Sequence, residues 1–156
     1  MIDPGPAVRA AVKVAAEHGV SCGDPIVLRN GSNVLVHLAP TPVVARVASL
    51  TALIRPHVSA TLAKDLAVAG YLADRGAPVV PPSGELPVGP HHCDGHSLTF
   101  WTYVEHEPDH VFQPAEVGPL LADLHAELHG FPGELPTAPP LDVPEILAFL
   151  DHEPLL

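Results

Sequence analysis

Basic side chains are scarce in this chain. Its 156 residues hold seven Lys and Arg against eighteen Asp and Glu, a net charge of −11. That balance excludes nucleic acid and anionic membrane as general partners, because both need a basic face, but it leaves room for a local basic pocket that takes a phosphate. Cysteine is rarer still. Cys22 and Cys93 stand far apart, so no disulfide framework is implied and a reducing, cytoplasmic setting is expected. No apolar run approaches membrane-spanning length. The opening MIDPGPAVRAAV has no basic stretch leading into an apolar one, so no signal peptide is expected. Charged residues make up only 16% while apolar residues reach 47%, the composition of a globular chain and not of a disordered one. The length suits one domain with a real core, and no internal repeat is visible.

Proline and glycine, in contrast, are plentiful. Twenty prolines and twelve glycines fall between apolar runs and punctuate short elements. DPGPAVRAAVKVAAEHG reads as a first helix, entered near Asp3 or Pro4 and stopped by Gly19. PIVLRNGSNVLVHLAPTPVVARVA predicts three short strands, at Ile26–Leu28, Val34–Leu38 and Val43–Ala48, on β-branched content and turn signals. SATLAKDLAVAGYLADRG predicts a helix with Ser59 as N-cap and Gly76 as its terminal glycine. A Pro/Gly-rich traverse with one edge strand follows, then a strand over HSLTFWTYVEH. QPAEVGPLLADLHAELHG predicts a helix kinked or delayed by Pro119, and VPEILAFLDH opens one more. Strands this closely spaced pair antiparallel, and a helix packed on such a sheet gives an α+β domain.

Four features could carry chemistry. Alternation along VVARV puts Val44 and Arg46 on one strand face and Val43, Ala45 and Val47 on the other. Arg46 is either an arginine reaching water from a strand or one with a partner. On the following helix Leu62, Leu66, Ala69 and Ala73 form a stripe with Asp65 at its margin, while Lys64 points away. A carboxylate at a buried margin needs a counter-charge, and Arg46, on the preceding element, is the candidate. Such a bridge could also do no more than fix the helix to the sheet. The turn NGSN offers the Ser32 hydroxyl, the Asn33 carboxamide and backbone N–H groups to an anion, or is an ordinary hairpin. Finally, TFWTYVEH runs from a strand into a polar connector, with Trp101 just ahead of backbone groups available to a ligand.

The order of these features resembles the N-terminal lobe of aminoglycoside phosphotransferase-like kinases, which share the protein-kinase fold. VVARV resembles the kinase VAIK strand. KDLAVAGYLADRGAPVVPP resembles the family's helix and the segment after it, LTFWTYVEHEP the hinge between lobes, and GPLLADLHAELHG the helix beyond the hinge. The resemblance implies a kinase-like lobe over 1–104, with an antiparallel sheet and a packed helix. Over 105–156 it implies the hinge and first helices of an incomplete C-terminal lobe. Arg46 takes the position of the lysine that pairs the nucleotide's phosphates, and Asp65 that of the glutamate orienting it. Ser32 and Asn33 take the phosphate-covering turn. The Thr102 C=O and Val104 N–H would read the base, with Val44 in its roof and Trp101 at the back of the pocket. ATP or GTP is the implied cofactor, with magnesium in the intact family. Arg for Lys and Asp for Glu roughly conserve the reach of the pair, and a guanidinium is a good phosphate ligand.

Phosphoryl transfer of this type also needs an Asp to orient the acceptor hydroxyl, and an Asn and a second Asp to hold magnesium. The family carries these in an HGDxxxxN loop and a later acidic motif. CDGH (93–96) precedes the hinge and DLH (123–125) is helical, so neither serves. The expectation is a nucleotide-binding half of a small-molecule kinase, without catalytic residues or metal ligands of its own. A small-molecule acceptor would join only if the missing lobe is supplied, and exposed helices (Leu121, Leu124, Leu128, Ile146, Leu147, Leu150) would favour self-association. The alternative is a non-catalytic module that binds a nucleotide or a protein. A metal protein is the third reading, built on His91, His92, Cys93, Asp94 and His96, or on His125 and His129. The first spacing is too tight for a zinc site, and Glu127 is misplaced for an HExxH pattern.

Overall fold

The computed structural model describes residues 3–54, 57–107, 111 and 113–135. The predicted helix at VPEILAFLDH, with Ile146, Leu147 and Leu150, lies outside the described residues.

Five strands form one antiparallel sheet: β1 (Asp24–Asn30), β2 (Asn33–Ala39), β3 (Val43–Ala48), β4 (His91–Cys93) and β5 (His96–Thr102). Their order across the sheet is β1-β2-β3-β5-β4. The described residues add four helices, α1 (Gly5–Glu17), α2 (Leu50–Ile54), α3 (Val58–Ala73) and α4 (Pro114–Leu128). The chain is therefore an α+β protein. No helix among the described residues is long and apolar enough to cross a membrane.

One face of the sheet is closed by α1. Ala7, Ala11, Val14 and Ala15 of that helix meet Val34, Val36 and Leu38 of β2, Val43, Ala45 and Val47 of β3, and Leu98 and Phe100 of β5. Alanines let the helix axis come close, and the valines of the strands fill the space between. Burying each Val or Leu in such a layer contributes about 1.5–3 kcal/mol. The helix ends as the sequence predicts: Gly19, at φ +83°, gives its N–H to the Ala16 C=O, and the Val20 N–H reaches the Ala15 C=O. Gly76 ends α3 with the same pair of bonds, to Ala73 and, through Ala77, to Leu72.

Two local expectations need correction, and one short helix was not expected. Ser59 is not the N-cap of α3. The helix starts two residues earlier, at Val58 after His57 at φ +61°, so Ser59 falls in its first turn and its hydroxyl lies 3.3 Å from His92 Nε2. Pro119 does not delay α4. That helix begins at Pro114, because Gln113 and Glu116 form a reciprocal capping box there. The short α2 was not foreseen. His91–Cys93 form the edge strand β4, and Asp94 and Gly95, both at positive φ, make the tight two-residue turn that joins it to β5.

Helix α4 attaches to the C-terminal end of α3. The Arg75 guanidinium lies 3.6 Å over the Tyr71 ring and 3.8 Å from Glu127, and the Tyr71 and Phe131 rings meet edge-on at 5.2 Å. None of the described side chains of α4 is buried, and Leu120 and Leu121 are among the exposed large apolar residues.

Candidate functional site

The opposite face of the sheet borders a cleft, and strand alternation decides what lines it. In register, Leu35 of β2 stands beside Arg46 of β3, and Arg46 beside Thr99 of β5. One row along, His37, Val44 and Trp101 stand side by side. Helix α3 packs beside β5 with Leu62 and Leu66 buried, and Lys64 points to solvent.

Arg46 does have a partner. Its Nη1 lies 2.9 Å from Asp65 Oδ2 in an ion pair, with 26% and 36% of the two side chains exposed. A strand and the next long helix thus meet through one charged pair, at the margin where helical spacing puts Asp65. A half-exposed pair of this kind holds the fold together by about 1 kcal/mol or less. Its position matters more than its stability, because Arg46 also lines a cleft.

That cleft encloses about 420 Å³ and is mostly apolar, within the usual range for a small-molecule site. The sheet supplies Leu28, Leu35, Val44, Arg46, Trp101 and Thr102; the traverse supplies Val80; and the chain leaving β5 supplies Tyr103, Val104 and His106. The indole N–H of Trp101 donates to Thr99 Oγ1 at 2.8 Å, and since Thr99 is wholly buried, the ring plane is fixed from beneath. The exit from β5 is equally held. Thr102 N–H donates to the Pro81 C=O and Tyr103 N–H to the Pro42 C=O. The Tyr103 ring stacks on His37 at 3.9 Å, nearly parallel. His37 is held in turn through Nε2, 2.9 Å from the Thr41 C=O. His106 Nδ1 lies 3.1 Å from the Val104 C=O.

Of the eight residues singled out in the sequence, Val44, Arg46, Trp101, Thr102 and Val104 line the cleft. Asp65 joins through its bridge to Arg46. Ser32 and Asn33 sit in the β1–β2 turn and are not part of the cleft lining. The Asn33 Oδ1 is buried with no hydrogen-bond partner among the described residues, a costly state for a carboxamide oxygen. Sequence reasoning missed Leu28, Leu35, Val80, Tyr103 and His106. Leu35 was within reach, since β2 alternates as β3 does. Leu28 was not, because it lies where a bulge shifts the β1–β2 register.

The histidines divide. His91 packs on Phe100 and His18, while His92 Nδ1 lies 3.1 Å from Ser97 Oγ. Among the described residues there is no group of three or more His, Cys, Asp or Glu side chains that could hold a metal ion. A nucleotide does fit the donor set: an apolar slot for a flat ring, with one guanidinium at its side. No family model, no curated protein and no solved structure matches this chain.

Proposed function

We propose that the chain is the nucleotide-binding lobe of an aminoglycoside phosphotransferase-like small-molecule kinase. The observation that carries this reading is the Arg46–Asp65 bridge at the wall of the cleft. In kinases a cation on the third strand pairs with an acid on the next long helix and grips the nucleotide's phosphates. Here Arg46 takes the first role and Asp65 the second, holding by its ion pair the guanidinium that lines the cleft. The base of ATP or GTP lies against Val44, Leu35 and Trp101, beside the backbone of Thr102–Val104. No magnesium ligand, acceptor-orienting Asp or transfer step is assigned to the described residues, so this lobe binds and positions and does not itself transfer phosphate.

Thermal unfolding of the purified chain with ATP, GTP or adenosine tests the proposal. A ligand at a hundred times its Kd adds about 2.7 kcal/mol to stability. The expected result is an upward shift with ATP or GTP that grows with concentration and shrinks in Arg46→Ala. An unchanged midpoint at millimolar nucleotide would overturn the reading.

A further inference from the structure

Three side chains from three elements converge at the β4 edge of the sheet. His92 of β4 and Ser97 of β5 stand directly opposite each other, so their side chains share a face. His92 Nδ1 lies 3.1 Å from Ser97 Oγ. Its Nε2 lies 3.3 Å from the Oγ of Ser59, in the first turn of α3. Ser97 is buried, while Ser59 is half-buried and His92 exposed. With the ring proton on Nδ1 and donated to the Ser97 oxygen, Nε2 is left to accept from the Ser59 hydroxyl. A serine hydroxyl is a weak nucleophile until a base within hydrogen-bond reach, itself oriented by a third group, activates it. Ser59, His92 and Ser97 stand in that order. None of the three lines the cleft that holds Arg46.

We infer that Ser59 is an activated nucleophile that takes the acyl group of an activated carboxylic ester, with His92 as its base and Ser97 as the positioning residue that fixes the ring. Ser59 Oγ bonds to the ester's carbonyl carbon while its proton passes to His92 Nε2. The carbon–oxygen bond to the alcohol breaks, and His92 gives that proton to the departing oxygen. Water, losing a proton to the same nitrogen, then attacks acyl-Ser59, releases the carboxylic acid and restores the serine. The balance is ester plus water to acid plus alcohol. Because the imidazole is exposed, the ester is met from solvent. This chemistry is separate from nucleotide binding and does not depend on it.

Incubation of the chain with p-nitrophenyl acetate tests it, with nitrophenolate release followed by absorbance and the acetylated residue located by peptide mass spectrometry. The wild type is expected to carry acetyl-Ser59 and to release nitrophenolate more than about tenfold faster than His92→Gln, whose amide cannot take the proton. Ser59→Ala keeps the imidazole, so its loss of both the adduct and the fast release separates serine acylation from plain imidazole catalysis. Ser97→Ala should slow release about two- to tenfold, the loss of one hydrogen bond to the ring, and Ser97→Thr, which keeps the hydroxyl, should restore it. Circular dichroism checks that each variant is folded. If the buried Ser97→Ala is not, His92→Gln and Ser59→Ala carry the comparison. No acetyl group on Ser59, or Ser59 acetylated as fast in His92→Gln as in the wild type, overturns the inference and leaves the cluster as a fastening between α3 and the sheet edge.

Discussion

The two faces of the sheet are built from the same strands and do different work. On the α1 side every inward residue of β2 and β3 is buried: Val34, Val36, Leu38, Val43, Ala45 and Val47. On the other side the alternate positions Leu35 and Arg46 are only partly covered, and with the buried Val44 they line a cleft. One face holds the fold and the other is free to carry a charge. A guanidinium in the middle of VVARV is tolerable because the strand's opposite side already supplies the core. Asp65 then satisfies the cation without closing the space beside it.

Substitutions on the two faces should therefore separate stability from binding. The largest effect is expected from Leu38→Ala, on the closed face. Leu38 is wholly buried, and its truncation should cost about 2–5 kcal/mol in urea unfolding, with nucleotide affinity unchanged in whatever fraction stays folded. Next is Arg46→Ala, on the open face. It should reduce nucleotide affinity more than about tenfold while lowering unfolding free energy by about 1 kcal/mol or less. A loss of several kcal/mol would place Arg46 with the core and erase the distinction. Trp101→Phe should cost about 1–2 kcal/mol, because it leaves the buried Thr99 hydroxyl without its indole donor. Trp101→Phe/Thr99→Val should recover part of that loss.

The smallest effect lies on neither face. Lys13 and Asp94 pair at 3.0 Å in the open. The hydrogen bond and charge of Lys13 hold the Asp94 carboxyl below its ordinary 3.8, and Asp94 holds the Lys13 ammonium above 10.5. A lowered acid contributes stability above its unfolded pKa and loses it as pH falls through the folded one. A raised base contributes below its unfolded pKa and loses it as pH rises through the folded one. The difference between wild type and Asp94→Asn should be slight, constant from about pH 5 to 9, and gone in acid. Asn also tolerates the left-handed backbone that residue 94 adopts. A large difference at neutral pH would contradict the assignment.

What could be read from the sequence had a period or a neighbour to reveal it. Strands β2 and β3 alternate, α1 and α3 end at glycines, and Arg46 and Asp65 lie on consecutive long elements that had to pack. What escaped has neither. Helix α2 has five residues, too few to show a helical period. The stack of Tyr103 on His37 and the bonds from Ser49 and Thr51 to the β1–β2 turn join segments far apart in the chain, and such contacts leave no local pattern. Asp94–Gly95 was a hairpin signal in plain view, obscured by the histidines around it. Ser59 looked like a cap only because the αL backbone of His57, which sets the true start of α3, is invisible in a sequence.

The most direct test of the central claim is a paired measurement on Arg46→Ala and Asp65→Asn: ATP affinity by calorimetry and unfolding free energy in urea. The account predicts that both variants fold nearly as stably as the wild type, that Arg46→Ala loses ATP binding more than about tenfold, and that Asp65→Asn loses less because the guanidinium remains. Wild-type affinity in both variants would contradict it and leave the bridge as a fastening between sheet and helix.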